Sequence, residues 1–389
     1  MGMNLGEAHR PVLVYGAGIH HAGAEQEARD LAELLQIPVC LTWGAADLLP
    51  EGPLRIGTFG THGTRAANFA VQNADFLLVI GSRLDTKATG TPAKWFAREA
   101  HIVMVDIDRA ELEKMEKVGV KVVGVCQDAG AYIRDFLNLP GGVSWPEWVA
   151  KCQDWKARYP AVLPEYEQES GVNPYVLIRE LSRLCEPGDV IVTDTGCALA
   201  WTCQAFEFKE DQRLLHPFNQ TPMGYGLPGA IGAHYATGKR VICITGDGSI
   251  MMSIGELATI AGHQLPIKIV LLNNRGHAMC RQTQREWMGA TYPSTSIEGG
   301  LTFPDFYDVA KAFGFTYCAA ISHLLAVNEP AFHEAVISPD ADVVPKSKFG
   351  APNEDQYPNL PRDVFAKEMI VPKISDLPLH DPRCVAFIS

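Results

Sequence analysis

Two short segments hold the residue types that bind a phosphate through a metal ion. GDGS at 246–249 and NN at 273–274 each close an apolar run, VICIT in one case and IKIVLL in the other. Open parallel sheets bind ligands outside the carboxyl ends of their strands, so Asp247 and Asn274 are expected to face one crevice. A carboxylate oxygen and an amide oxygen are hard ligands of the kind Mg²⁺ takes; the ion needs more oxygens, and a diphosphate provides them. Gly246 and Gly248 let backbone approach phosphate closely, and a helix beginning near Ser249 offers N–H groups to the anion. The plainer alternative is that Asp247 caps that helix and Asn274 ends a strand, roles in which Asp and Asn are common. The occurrence of both after buried strands favours the metal–phosphate reading.

The elements that must position these residues alternate between strand and helix. PVLVYGAG (11–18), IPVCLTW, NADFLLVIGSRLD and AHIVMVDIDRAEL read as buried strands running into glycine or polar loops, with a helix over AGAEQEARDLAELL. After residue 172 the same pattern returns: a helix over NPYVLIRELSRL, the strand VIVTDTG, the small-residue helix GAIGAHYATG, then RVICITGDGS, IGELATIAGHQ and PIKIVLLNN as strand, helix and strand. The expected class is α/β, with two parallel-sheet, three-layer domains. The expected division is a first domain over 1–140, a linker over 141–172, a second domain over 173–335 and a C-terminal extension over 336–389, rich in Pro and Asp. GAG at 16–18 does not complete the G-x-G-x-x-G fingerprint, because position 21 is His21; a strand-end turn explains it better than NAD binding does.

Composition narrows the function. A formal charge of −12 without a long basic run disfavours nucleic acid as a partner. No apolar run reaches the ~18–20 residues of a membrane span, and there is no signal-peptide pattern at the start. The 10 cysteines are scattered rather than paired, which suits free thiols and a cytoplasmic location.

Around the GDGS and NN segments, further blocks resemble the acetolactate-synthase-like family of thiamine-diphosphate enzymes. TPMGYGLPGAIGA (221–233) is similar to that family's GxMGFGLPAAIGA; ELATI (256–260) and LPIKIVLLNN (265–274) match closely; VTDTGCALAWTCQ (192–204) occupies the place of a Gly, Gln-His, Trp segment. GTHGTRAANFAVQNADFLLVIGSRLD (60–85) and IVMVDID (102–108) resemble the family's middle domain. The resemblance implies a central FAD/NAD-like domain followed by the thiamine-diphosphate-binding domain. It implies that Asp247, Asn274 and the backbone carbonyl of Gly276 hold Mg²⁺, that Gly246, Gly248, Ser249 and Gly196 meet the diphosphate, and that Met223 presses under the bend of the cofactor. The backbone of Thr221 and Met223 would hold the pyrimidine, with Met279 near the thiazolium. The implied reaction is decarboxylation of a 2-oxo acid such as pyruvate and transfer of the acyl-anion unit to a carbonyl acceptor. Simple decarboxylation without carboligation and a non-catalytic cofactor-binding regulatory or scaffold subunit are the alternatives.

Three departures qualify the resemblance. Cys197 and Ala198 stand where Gln-His is usual. RGHAMCRQTQREW (275–287) is more like relatives from surface-sugar pathways, with Met279 and Cys280 facing the substrate and Arg281 and Gln282 as weaker candidates for an acidic acceptor. His62 and His277 are read as pocket-lining or structural. No segment between 1 and 389 resembles the family's N-terminal pyrimidine-binding domain, which supplies the activating Glu. That Glu is expected from a partner chain, a separate small subunit, in a hetero-oligomer with at least two copies of each; the alternative is that the sequence is a fragment of a longer chain that carries the domain itself. Arg83, Asp106 and Asp108 fall in loops resembling a flavin site, which leaves FAD open.

Overall fold

The computed structural model describes residues 4–138 and 144–374. Residues 141–143 of the expected linker and 375–389 of the expected extension lie outside the described residues. The chain packs as two units, Met1–Ala161 with Val344–Ser389, and Val162–Val343.

The first unit is built on a six-stranded parallel sheet, β1 (Pro11–Tyr15), β2 (Val39–Leu41), β3 (Arg55–Thr58), β4 (Phe76–Ile80), β5 (His101–Asp106) and β6 (Val122–Cys126), in the order β3-β2-β1-β4-β5-β6. PVLVY and FLLVI are buried at every residue, as sheet strands covered on both faces must be. Helices Glu25–Leu35 and Ala129–Leu137 pack together, as do Arg65–Gln72 and Pro146–Arg158. The helix starts carry their own caps: Asp85, Asp108 and Asp128 each accept a first-turn N–H. Strand order reverses between β1 and β4. There the Gly16 N–H donates to Ile80 O at 3.0 Å and the Gly18 N–H to Gly81 O at 2.8 Å. A Cβ on Gly16 would lie 2.4 Å from Gly81 O, so the GAG segment serves a loop-to-loop backbone contact.

Two segments sit differently from the expected division. Helix Pro146–Arg158, inside the expected linker, belongs to the first unit because its Trp148, Cys152 and Trp155 are buried in that core. From Val344 onward, the described part of the expected extension also joins this unit. The Asn353 side chain donates to Ala88 O at 3.0 Å and that of Gln356 to Gly63 O at 2.8 Å, while Arg98 pairs with buried Glu354 at 2.7 Å.

Glu368, on helix Arg362–Glu368, fastens the two segments together. It is nearly buried and accepts from Trp155 Nε1 at 2.7 Å, Arg158 Nη2 at 2.9 Å and Tyr159 Oη at 3.0 Å. The Arg158 guanidinium holds its carboxyl down to about 2, against the opposing effect of burial, from an ordinary 4.5. A carboxyl held low stabilises the fold above its unfolded value, and that stabilisation is lost as pH falls from 4.5 towards 2. Because the Arg158 side chain is 39% exposed, we expect Glu368→Gln to cost about 2 kcal/mol at neutral pH. The difference from wild type should vanish near pH 2 in a urea-unfolding series.

The second unit has its own parallel sheet: β7 (Val190–Thr193), β8 (Arg213–Leu215), β9 (Val241–Gly246), β10 (Ile267–Asn273), β11 (Thr316–Tyr317) and β12 (Ala331–Val336), ordered β11-β12-β10-β9-β7-β8. All seven residues of β10 are buried. Its apolar core gathers Val192, Cys243, Ile269 and Leu271 from the strands with Leu227, Ile260 and Phe306 from the helices.

Candidate active site

From β7 the chain of the second unit steps to β8 on one side and returns to β9 on the other. The crevice such a reversal creates lies at the carboxyl ends of β7 and β9, with β10 beside them. Thr193 pairs with Ile244, and Gly246 with Leu272. The segments beginning at Asp194, Asp247 and Asn274 therefore leave the sheet side by side.

Asp247 is almost completely buried. Its Oδ1 accepts the Gly248 N–H at 2.7 Å and its Oδ2 the Gly276 N–H at 3.0 Å. Burial pushes its carboxyl up to about 6, and backbone N–H donors led by Gly276 and Gly248 pull in the opposite direction. The two asparagines at the end of β10 have separate tasks. Asn273 donates to Glu334 Oε1 at 2.6 Å and accepts the Arg275 N–H at 3.0 Å, which shapes a turn with Arg275 at φ 55°. Asn274 is buried, and its Oδ1 has no hydrogen-bond partner among the described residues. A buried amide oxygen left unpaired costs about 1–3 kcal/mol. Beside a buried carboxylate, such an atom fits a metal ligand. At Gly276 a Cβ would lie 2.5 Å from Thr295 O, so glycine is required for the turn that brings its N–H to Asp247. Among the described residues no three His, Cys, Asp or Glu side chains gather as a metal site; carboxylate, amide and carbonyl oxygens are a ligand set of another kind, suited to Mg²⁺.

Two helices begin at this crevice. Cys197–Ala205 follows Gly196, whose φ of 76° belongs to glycine, and Ala278–Trp287 follows His277; neither N-cap side chain bonds to the first turn. The first-turn N–H groups of a helix have no partner within the helix and suit an anion. The helix expected near Ser249 is a single turn, Asp247–Ile250, and the Gly248 N–H is already engaged by Asp247.

These segments line a cleft of about 210 Å³. Gly196, Met223, Gly246, Asp247, Gly248 and Ser249 lie on it, as do Asn274, Gly276 and Met279; Thr221 does not. Thr221 has φ 46° and its N–H donates to Pro217 O at 2.9 Å, so that donor is occupied by a turn. Cys197, Ala198, His277 and Cys280 complete part of the wall. Arg281 and Gln282 are outside it. Gln282 exchanges two hydrogen bonds with the Val343 backbone, and Arg281 pairs with Asp340 at 3.1 Å. Both serve the packing of helix Ala278–Trp287.

Sequence reasoning misses Asp194. It is fully buried after β7; its Oδ1 accepts the N–H of Thr195 and of Gly224, and its Oδ2 that of Gly226. One carboxylate thus fixes the loop carrying Met223. The signal was present, an Asp closing a buried strand as Asp247 does.

In the first unit, Asp106 Oδ1 accepts the Asp108 N–H, Asp108 caps the helix Arg109–Lys117, and Arg83 lies 3.4 Å from Asp85. These are local structural bonds. His62 bonds to Thr61 Oγ1 at 3.0 Å and packs on Trp43; burial pushes its imidazole down to about 3. Among the described residues none of the nine cysteines forms a disulfide, and no helix is long and apolar enough to cross a membrane.

The chain matches known families in both units. Residues 4–133 match the thiamine pyrophosphate enzyme central domain, and residues 194–344 the C-terminal TPP (thiamine pyrophosphate, or diphosphate) binding domain of such enzymes. It is 32% identical over 367 residues to the acetolactate synthase isozyme 1 large subunit of Escherichia coli (strain K12), covering 90% of this chain and 62% of that protein. To the acetolactate synthase large subunit of Corynebacterium glutamicum it is 33% identical over 371 residues, covering 91% and 59%. To that of Pyropia yezoensis it is 34% identical over 316 residues, covering 79% and 52%. The chain thus spans between 52% and 62% of the length of these relatives. A cleft with a metal-type ligand pair at the switch point of the second sheet and two matching domains in order lead to one conclusion: the chain belongs to the thiamine-pyrophosphate-dependent enzymes of the acetolactate synthase large-subunit family.

Proposed function

We propose that this chain holds the metal and diphosphate end of thiamine diphosphate for an acetolactate-synthase-like carboligase. A 2-oxo acid such as pyruvate is decarboxylated, and its acyl-anion unit passes to a carbonyl acceptor. The observation carrying this reading is the partnerless, buried Asn274 Oδ1 beside buried Asp247 in the cleft. Asp247, Asn274 and the carbonyl of Gly276 hold Mg²⁺. Gly246, Gly248, Ser249 and Gly196 meet the diphosphate, and Met223 and Met279 give apolar contact further along the cleft. When bound, the cofactor supplies the carbon nucleophile and takes up the electron pair released with CO₂.

The chemistry also needs a carboxylic acid beside the pyrimidine ring. Asp247 is the cleft's own carboxylate, and in this reading it is committed to the metal. The activating Glu is therefore assigned to a pyrimidine-binding domain in a partner chain, within a hetero-oligomer holding at least two copies of each. Met223, Met251 and Met252 are exposed large apolar residues, and Gly224 lies against Met252. They give the partner an adaptable apolar surface.

The test is CO₂ release from pyruvate with Mg²⁺ and thiamine diphosphate, using the chain alone and with any polypeptide co-purified from its native source. We expect release to require both, with a carboligated product when an acceptor is added. Aldehyde as the sole product would favour the decarboxylase alternative. Cofactor binding without CO₂ in either preparation would favour a non-catalytic subunit.

A further inference from the structure

The imidazole of His277 is not doing what its place in the chain suggests. It is the N-cap of the ten-residue helix Ala278–Trp287, yet its side chain makes no capping bond. The ring lies on Gly248 instead: a Cβ there would sit 2.3 Å from its Cε1 and 2.4 Å from its Nδ1. The residue is half-buried and lines the cleft, and its ring forms no hydrogen bond with any described residue. Cys197 and Ala198, also on the cleft, offer neither a cation nor an imidazole. Asp247 offers only acceptors to a ligand when ionised. An imidazole N–H is thus held, without a partner, over the glycine at which the proposed diphosphate approaches the backbone.

We propose that His277 is a diphosphate-binding residue, donating a hydrogen bond from its imidazole to a phosphate oxygen. This rests on the cofactor reading of the cleft. It makes affinity depend on a side chain of helix Ala278–Trp287 as well as on the metal ligands. A space-filling role for the ring over Gly248 predicts a different outcome: an apolar ring of similar size should then serve equally well.

The experiment compares wild-type chain with His277→Phe, His277→Ala and His277→Gln by calorimetric titration in Mg²⁺, using thiamine diphosphate and inorganic pyrophosphate as probes. Melting of each unliganded protein is measured alongside. Phe fills the space without a donor, Ala removes both, and Gln keeps a donor. We expect Phe and Ala to weaken both probes about 10- to 100-fold, and Gln to retain affinity within several-fold of wild type. The unliganded melting temperatures should be unchanged. If His277→Phe, or His277→Ala should the Phe variant not fold, binds both probes as tightly as wild type, the inference is overturned while the cofactor reading stands. If wild type itself binds neither probe in Mg²⁺, the cofactor reading fails and takes the inference with it.

Discussion

Asp247→Ala is expected to abolish Mg²⁺-dependent binding of thiamine diphosphate, lowering affinity by at least about 100-fold and eliminating CO₂ release in any complex that shows it. The carboxylate does two things in the cleft. It accepts the Gly248 and Gly276 N–H groups, tying the turn after β9 to the turn after β10, and in the proposed reading it supplies the charged metal ligand. Alanine removes both, so the unliganded protein should also lose about 1–3 kcal/mol through the two donors left without their acceptor. Asn274→Ala separates the roles. Its Oδ1 has no partner to lose, so truncation should leave unliganded stability within about 1 kcal/mol of wild type or raise it, while cofactor affinity still falls. An ordinary structural asparagine would show the reverse, a stability loss with affinity intact. Calorimetric titration with the cofactor, paired with urea unfolding of the unliganded variants, reads both quantities.

Trp155→Ala is expected to destabilise the first unit by about 4 kcal/mol. Trp155 is fully buried, edge-on to Trp148 at 5.6 Å and against Phe69 at 5.6 Å. Its indole N–H donates to Glu368. Removing it leaves a large apolar cavity and takes one donor from a buried carboxylate. Trp155→Phe should retain much of the apolar contact and lose mainly the hydrogen bond, at about 1–3 kcal/mol because the acceptor is charged. Denaturant unfolding followed through the first unit checks the ranking. A loss below about 1 kcal/mol for the alanine variant would mean that helix Pro146–Arg158 is a loosely attached linker after all.

That helix shows where sequence reasoning stops. Its three buried residues, Trp148, Cys152 and Trp155, recur at helical spacing. Their burial depends on Phe69, Phe365 and Glu368, which lie far away in sequence, and no local pattern announces them. The strands read most readily were the central ones: PVLVY and FLLVI are apolar throughout, and IKIVLLN is apolar but for Lys268 and Asn273, because helices cover both faces. Edge strand β6 is largely exposed, and β8 has only three residues. β8 is shorter than a buried strand usually is, whereas β6, VVGVC, is apolar in sequence and is exposed because it closes the edge of the sheet. β12, AFHEAV, lies next to β10 in the sheet, but its His and Glu interrupt the apolar run; each has a partner, His333 with Cys318 O and Glu334 with Asn273.

The site was legible to the extent that strand ends were. Asp247 and Asn274 follow long apolar strands, so their convergence could be expected from topology alone. Which asparagine of the NN pair is left without a partner could not, because that depends on Glu334 across the sheet holding Asn273. Arg281 and Gln282 illustrate the converse: their residue types suit substrate binding, but Asp340 and the Val343 backbone engage them.

The most direct test replaces Mg²⁺ with Mn²⁺ and records electron–nuclear double resonance on the chain with thiamine diphosphate bound. Coordination of one ion by Asp247, Asn274 and the diphosphate predicts a resolved ³¹P coupling in wild type that disappears, together with tight Mn²⁺ binding, in Asp247→Ala. Mn²⁺ bound without ³¹P coupling, or a coupling unchanged by that substitution, would contradict the assignment of this cleft as the metal–diphosphate site.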